Sequence, residues 1–248
     1  MNPSFLEHLR SDLARIQTLA TGYELSAAVP SCPGWDLAKL VGHLGRVHRM
    51  ALAVISTGSM TPAPPAELAA PPSDHDGLRA YFAESSTQLV HDLSTTPLDA
   101  PCWTFLGTGD VTAFWHRRMA QEHAIHRYDA ELAVNDPHPI PVDLAIDGVN
   151  EYFIMANGRV LPKKPDFFLG GTLHLHATDS PDGEWTLEQT GSALTVTHGH
   201  GKGDAAVRGT ASDLLLALWG RKDLTDTTTF EHFGNPAVTA ALASLGGN

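Results

Sequence analysis

Residues 117–129 read RRMAQEHAIHRYD, and this stretch decides the fold of the first half of the chain. We predict that it is helical. Because a helix turns by about 100° per residue, the side chains of Glu122 and His126 then project from one face. A carboxylate and an imidazole at this spacing can hold one divalent metal ion without bending the backbone. The pattern therefore predicts a metal site to which another segment adds a third ligand, with one coordination position left open for chemistry.

The second predicted helix offers two candidates for the third ligand. His43 and His48 lie five residues apart and therefore on different helix faces. His43 is the better candidate, because Gly42 and Gly45 beside it would let a metal ion or a substrate approach the backbone closely. Two histidines and a glutamate suit Zn²⁺, and also Fe²⁺ or Ni²⁺.

Ordinary structural roles also explain these three residues. Glu122 could form a pair within its own helix, either with Arg118 or with His126. His43 could be a packed core histidine. A Glu and a His four residues apart are common by chance, so the spacing leaves both interpretations open.

The residues expected to support the ligands or to contact a substrate are Asp129, Trp35 and Arg118. Asp129 would accept the spare N–H of His126 and orient its imidazole, with a pair to Arg127 or a surface group as the alternative. Trp35 either lines the mouth of the pocket or packs against the start of the second helix as a hydrophobic staple, and the staple is favoured.

Composition favours an ordinary globular protein. The chain has 248 residues, of which 42% are hydrophobic and 18% charged, and its formal net charge is -12. This charge argues against nucleic acid or an anionic membrane surface as a partner. No apolar run reaches the roughly 18 residues of a membrane span, and residues 1–10 do not resemble a signal peptide. The expected location is the cytoplasm, and the oligomeric state stays open.

Cysteines and further histidines give no strong signal. Cys32 and Cys102 have no C-x-x-C spacing and are interpreted as two unrelated reduced thiols. The chain has fourteen histidines, so a single one is not informative by itself. Two pairs could bind metal adventitiously but are interpreted as solvated strand edges: His174 with His176, and His198 with His200.

Helical periodicity and capping signals predict four helices in residues 1–140. The helices cover residues 5–20, 37–51, 76–93 and 111–134. Asp36 is the expected N-cap of the second helix. The proline-rich residues 57–76 and the irregular residues 97–110 form loops. Four antiparallel helices connected in this way form a four-helix bundle.

Residues 141–248 are predicted to form a smaller α+β domain. It opens with a helix over residues 142–157, and a turn at residues 180–183 separates the first two strands. The strands cover residues 168–178, 185–189, 193–198 and 205–208, and helices follow at residues 210–218 and 236–245. The fold class is therefore α+β, with a helical bundle followed by a smaller α+β domain.

Three motifs resemble the mycothiol-dependent maleylpyruvate isomerase family. They are VPSCPGWD and LVGHL at residues 29–36 and 40–44, RMAQEHAIHRYD at residues 118–129, and GTASDLLLALWGR at residues 209–221. They occur in the family's order and span nearly the whole chain. The resemblance implies a DinB-like metal-binding helical bundle, followed by a domain that looks related to sterol-carrier folds.

The resemblance also implies roles for particular residues. The family's three metal ligands fall on His43, Glu122 and His126, and its functional arginine falls on Arg221. Arg221 follows a short helix, from where it could extend toward the metal or interact with the last carbonyls of that helix. The implied cofactors are a divalent metal ion, zinc first among them, and mycothiol.

The implied activity is metal-dependent activation of mycothiol, a low-molecular-weight thiol, for attack on an electrophilic small molecule. The family's example is the cis-trans isomerisation of maleylpyruvate-like substrates, in which Arg221 would neutralise a carboxylate or a developing enolate. The alternatives are a mycothiol S-transferase that forms a stable thioether, a metal hydrolase and a non-catalytic small-molecule-binding protein. The loops at residues 57–76 and 97–110 match no isomerase pattern and leave the substrate open.

Overall fold

The computed structural model describes residues 4–107 and 109–246; residue 108, in the predicted irregular segment, lies outside the described part. The chain forms two compact units, one over Ser4–His138 and one from Pro139 onward. None of the helices in these described residues is long and apolar enough to cross a bilayer. The first unit is helical and the second combines helices with a sheet, which confirms the predicted α+β fold class.

The first unit is a four-helix bundle. Its helices are α1 (Phe5–Gly22), α2 (Leu37–Ile55), α3 (His75–Thr95) and α4 (Thr112–Ala133). Helix α1 packs against α4, and α2 packs against α3. Asp36 caps α2 by accepting a hydrogen bond from the backbone N–H of Lys39, and Asp74 caps α3 in the same way. The four helices agree with those predicted from the apolar spacing.

Helix α4 is unusual because many of its buried side chains are polar or charged. Arg127 donates hydrogen bonds to Asp12 Oδ1 at 3.1 Å and to Glu131 Oε2 at 2.6 Å. Arg15 of α1 donates to Glu131 Oε1 at 2.9 Å. Charges are tolerated in a protein interior when they are paired and hydrogen-bonded, as these are. The network fixes α4 against α1 and so holds the neighbouring turns of α4 in place.

Gly45 serves helix packing, which corrects the expectation that it admits a metal ion or a substrate. A Cβ atom at this position would lie 2.5 Å from the ring of Tyr81 in α3. Gly42 is also close to the loop before α3, because its Cβ would lie 3.3 Å from Pro71. A Cβ at Gly45 would overlap the Tyr81 ring, and a Cβ at Gly42 would be in tight contact with Pro71 and Leu78. The two glycines therefore let α2 lie close to α3 and to the loop before it.

The second unit combines a five-stranded sheet with three α-helices. The strands are β1 (Leu173–Ala177), β2 (Glu184–Thr190), β3 (Ala193–His198), β4 (Ala205–Gly209) and β5 (Glu231–Gly234). The helices are α5 (Val142–Met155), α6 (Ala211–Leu218) and α7 (Pro236–Ala243), and α5 continues through a π-helical turn. The strand order is β3-β2-β1-β4-β5, with β1 and β4 parallel and the other neighbours antiparallel.

Two details of the sheet differ from the prediction. Strand β5 was not predicted, since four residues are too few for an alternating pattern to be visible. It pairs with β4 at one edge of the sheet. Strand β1 begins at Leu173 and not at Phe168, so the first part of the predicted strand is irregular chain.

Strand β1 is the central strand, and its histidines were therefore wrongly interpreted as a solvated strand edge. Leu173 and Leu175 are fully buried on one face of the sheet, while His174 and His176 lie on the other face. His174 is only 5% exposed. The interpretation is correct for His198, which lies on the edge strand β3 and is exposed.

Candidate metal centre

The three predicted ligands come together in the first unit, at a place that we call the bundle site (His43, Glu122 and His126). Helix α2 supplies the first and α4 the other two. Glu122 Oε1 lies 3.0 Å from His43 Nε2 and 3.4 Å from His126 Nε2. Adjacent ligand atoms of a tetrahedral zinc ion are about 3.3 Å apart, given bond lengths of about 2.0–2.1 Å. The spacing and the donor types therefore fit a divalent metal ion.

Asp129 fixes the orientation of the His126 ring. Its Oδ2 lies 2.9 Å from His126 Nδ1, and its Oδ1 accepts a hydrogen bond of 2.6 Å from the Ser31 hydroxyl. Asp129 is fully buried. A carboxylate can only accept here, so Nδ1 carries the proton and Nε2 points toward Glu122 and His43. This is the arrangement that a metal-binding imidazole requires.

Arg118 contacts the other oxygen of Glu122. Its Nη2 lies 3.1 Å from Glu122 Oε2, and its side chain is buried. The Arg118–Glu122 pair and the cluster of three ligands are therefore both present. Arg118 contacts Glu122 Oε2, whereas the two histidines lie near Glu122 Oε1. Arg118 thus leaves Oε1 directed at the two histidines.

The electrostatics of the bundle site favour a cation between its side chains. Burial lowers the pKa of His126, but its hydrogen bonds to Asp129 and Glu122 outweigh burial and raise that pKa to about 9. Burial raises the pKa of Glu122, but hydrogen bonds to His126 and His43 and the charge of Arg118 outweigh burial and hold it well below the usual 4.5. At this pKa the His126 ring carries a second proton, on Nε2. A divalent cation would replace that proton, because a nitrogen that binds a metal ion must be deprotonated.

A second set of donors shares His126. Cys32 Sγ lies 3.5 Å from Asp129 Oδ2, and these two residues could also form a three-donor cluster with His126. A metal ion in that cluster would need His126 Nδ1, which already faces Asp129, whereas the bundle site uses His126 Nε2. The bundle site is therefore the better metal site. Neither Cys32 nor Cys102 forms a disulfide.

Trp35 lies beside the two ligating histidines. Its ring stacks on His126 at 6.1 Å between centroids with an interplanar angle of 9°, and it lies 5.2 Å from the His43 ring. Trp35 and His43 both line a cavity of about 450 Å³. These contacts support the pocket position, which the sequence did not favour, and the role of Trp35 there stays a prediction.

Two basic residues at the same cavity were missed by the sequence analysis. Lys39 and Arg46 line the cavity on either side of His43 in the sequence. Lys39 donates to the carbonyl of Gly34 at 2.6 Å, and Arg46 donates to that of Pro65 at 3.3 Å. Among the described residues neither has a carboxylate partner, and with Asp36 at the same cavity the wall carries two cationic side chains and one anionic one. Their spacing of four and three residues from His43 places all three on one helix face, and this signal was available in the sequence.

Arg221 belongs to the second unit and follows the C-terminus of α6. Gly220 has a φ of 72°, and the backbone N–H groups of Gly220 and Arg221 donate to the carbonyls of Ala217 and Leu216. This is a Schellman motif, which ends the helix. Arg221 Nη1 also donates to the Trp219 carbonyl at 2.7 Å, the kind of contact that the helix-end interpretation predicts. A role in substrate binding stays a prediction.

His48 lies in the interior and not at the bundle site. Its Nε2 lies 2.7 Å from His123 Nε2, and His123 Nδ1 lies 2.6 Å from the Met119 carbonyl. His123 must therefore donate through Nδ1 and accept at Nε2, so His48 donates through Nε2. The hydroxyl of Ser85, 2.9 Å from His48 Nδ1, completes a chain in which both imidazoles are neutral.

We expect acid to destabilise the protein through His48. Burial, reinforced by His123 and Arg49, lowers its pKa well below 6.5, so the unfolded chain binds a proton there that the folded chain does not. This contribution to stability is complete above pH 6.5 and is lost as the pH falls below that value. One such group lowers the free energy of unfolding by about 1.4 kcal/mol between roughly pH 7.5 and pH 5.5.

The measurement for His48 is urea unfolding at these two pH values, with wild type beside His48→Gln. The glutamine amide can still donate to His123 but does not titrate. Unfolding of the variant should therefore depend less on pH than unfolding of the wild type by about the stated amount. Equal pH dependence in the two proteins would show that His48 does not contribute.

Fold and site together define a class of protein, a helical bundle with a two-histidine, one-glutamate site followed by a smaller α+β unit. Residues 6–131 match the family model described as the mycothiol maleylpyruvate isomerase N-terminal domain. Residues 143–241 match the C-terminal domain of the same family, abbreviated MDMPI. The chain therefore belongs to the mycothiol maleylpyruvate isomerase family, which confirms the resemblance of the three motifs.

Two solved structures share the fold. Both are crystal structures of the mycothiol-dependent maleylpyruvate isomerase, the first of a histidine-to-alanine mutant, with TM-scores of 0.58 and 0.56. They are 13% and 14% identical in sequence, and each comparison covers 92% of this chain and 91% of the other. Likeness at this identity establishes the fold alone. Among curated protein sequences, none is similar enough for a significant match.

Proposed function

We propose that this protein is an enzyme that uses mycothiol to isomerise the cis double bond of a small carboxylate of the maleylpyruvate type. The proposal includes a divalent metal ion, zinc first among them, held by His43, Glu122 and His126. The observation that carries it is the convergence of these three donors beside a cavity, in a chain whose two halves both match the family. The two similar structures, both of the mycothiol-dependent maleylpyruvate isomerase, support mycothiol and maleylpyruvate as the reactants.

The protein side chains prepare the metal site before any reactant binds. When bound, the metal ion would lower the pKa of a coordinated thiol from about 8.5, so that mycothiol supplies a thiolate nucleophile near neutral pH. Asp129 holds the His126 ring so that Nε2 is directed at the site. Arg118 holds the second oxygen of Glu122 and keeps the first in position.

The two cationic side chains of the cavity wall suit an anionic substrate. Maleylpyruvate-type molecules carry carboxylates, and Lys39 and Arg46 place two positive charges on either side of His43. Carboxylates form charge-assisted hydrogen bonds with both kinds of side chain. We propose that these residues hold the substrate with its double bond near the bundle site.

Two further groups would assist the reaction. Trp35 and the side chain of Leu78 line the cavity with apolar surface, which would limit the access of water to the nucleophile. Arg221 is proposed, from the family resemblance, to neutralise a carboxylate or the negative charge that develops when the conjugated double bond becomes single. Reformation of that bond after rotation releases the thiol unchanged, so mycothiol acts as a cofactor.

The test is an assay of zinc-loaded protein with maleylpyruvate and mycothiol, in which both the trans product and the free thiol are quantified. The expected result is many product molecules per mycothiol with the thiol fully recovered, and no turnover in the control without mycothiol. Consumption of one thiol per substrate, with a thioether as product, would overturn the isomerase in favour of an S-transferase. If no substrate is converted and no metal is bound, the proposal is wrong, and the alternative of a non-catalytic binding protein is favoured.

A further inference from the structure

A second group of metal-ligating side chains lies in the α+β unit, on the polar face of the sheet. We call it the sheet cluster (His174, Glu184 and His200). His174 lies on β1, Glu184 begins β2, and His200 lies in the loop after β3. Glu184 Oε2 is 3.0 Å from His174 Nε2 and 2.9 Å from His200 Nδ1. The donor set repeats that of the bundle site, with two imidazoles and one carboxylate.

Glu184 Oε2 accepts a hydrogen bond from His200 Nδ1, but its contact with His174 is of a different kind. The His174 Nε2 atom is buried and has no aligned hydrogen-bond partner among the described residues, although it lies 3.0 Å from Glu184 Oε2. The ring nitrogen and the carboxylate oxygen are thus in contact without the alignment that a hydrogen bond requires. Two ligands of one metal ion are related in the same way, because both are directed at the ion.

The backbone holds the cluster together. The N–H of Gly199 donates to the Glu184 carbonyl at 3.0 Å, which attaches the loop to β2. A Cβ on Gly201 would lie 2.4 Å from Thr186 Oγ1, so this glycine lets the loop lie against the sheet. The His200 ring is thereby placed with its centroid 5.8 Å from that of His174.

The charges around the cluster favour a cation. Glu184 pairs with His176 in the strand register, so a third imidazole adjoins the carboxylate. Arg208 pairs with His176 from the other side, and its Nη1 lies 3.0 Å from Glu231 Oε2. The nearest guanidinium in the register is therefore already neutralised by a carboxylate. One carboxylate and several imidazoles form a donor set that suits zinc.

We propose that His174, Glu184 and His200 form a second divalent metal site, which would bind zinc and clamp the loop after β3 onto the sheet. Water or His176 would complete the coordination. The buried His174 and the largely exposed His200 suit a structural site at the surface, because the metal ion would join the loop to the central strand. The site is separate from the bundle site and does not depend on the proposed function.

The test measures zinc binding by the full chain in which His126→Ala removes a bundle-site ligand. Calorimetric titration with zinc alone should give one equivalent, and Co²⁺ should give the absorption of a tetrahedral site. Introducing His200→Ala into the His126→Ala protein should lower zinc affinity by at least about tenfold. Loss of a residue that only supports a ligand already lowers metal affinity by about 10- to 100-fold. His200 is 79% exposed in its side chain, so its removal does not disturb the core.

His198→Ala is the matched control, because this histidine is also exposed and lies two residues away. It should leave zinc affinity unchanged in the same background. Glu184→Gln should reproduce the loss seen with His200→Ala. Equal effects of His198→Ala and His200→Ala, or an unchanged affinity in Glu184→Gln, would show nonspecific binding by surface histidines and overturn the second site.

Discussion

Replacing Glu122 with glutamine should remove metal from the bundle site and abolish thiol-dependent turnover. The amide keeps the size of the side chain and can still accept a hydrogen bond from Arg118 through its oxygen. It cannot supply a negative charge, so the metal ion would be held by neutral groups beside an arginine. Loss of a residue that supports a ligand lowers metal affinity by roughly 10- to 100-fold. Loss of the ligand Glu122 itself should lower zinc affinity by more than this.

The measurement for Glu122→Gln is zinc content after dialysis, together with turnover at saturating zinc. Glu84→Gln is the matched control, because Glu84 is an exposed glutamate of α3 in the same unit. The control should keep its metal and its activity. Unchanged zinc content in Glu122→Gln would show that the ligand assignment is wrong. Thermal unfolding of both variants shows whether the loss is one of metal or of fold.

The local part of the bundle site follows from the sequence because it lies on one helix. Glu122 and His126 are one turn apart, and Asp129 lies three residues beyond, so helix geometry alone brings their side chains together. Asp129 Oδ2 contacts the His126 ring at 2.9 Å, which is what that spacing allows. The apolar periodicity likewise sufficed for the four bundle helices, whose buried faces are long and regular.

The parts that depend on tertiary packing could not be read from the sequence. Trp35 precedes α2 and has the position of a staple, and only the packing of α2 on α4 brings its ring onto His126. The histidines of β1 alternate as they would on any half-exposed strand. The burial of His174 depends on β1 being central, which is a matter of strand order. Strand β5 depends on pairing with β4 and has too short a pattern of its own.

Asp129→Asn should weaken metal binding without removing a ligand, and this difference separates its role from that of Glu122. If the amide oxygen faces His126, the ring keeps its tautomer but loses the carboxylate that makes it a stronger ligand. If the amide N–H₂ faces His126, the proton moves to Nε2 and blocks that ligand atom. Either outcome should lower zinc affinity by about 10- to 100-fold.

Chelator competition measures this change, with turnover assayed as a function of zinc concentration. Asp129→Asn should recover most of its turnover at high zinc, because all three ligands remain, whereas Glu122→Gln should not recover. Asp99→Asn is the matched control, since Asp99 is an exposed aspartate of the same unit, and its zinc affinity should equal that of wild type. Equal affinity in the Asp129 and Asp99 variants would mean that the 2.9 Å contact with His126 does not orient the ligand. Failure of high zinc to restore turnover in a folded Asp129→Asn protein would instead mean that the carboxylate acts in the reaction itself.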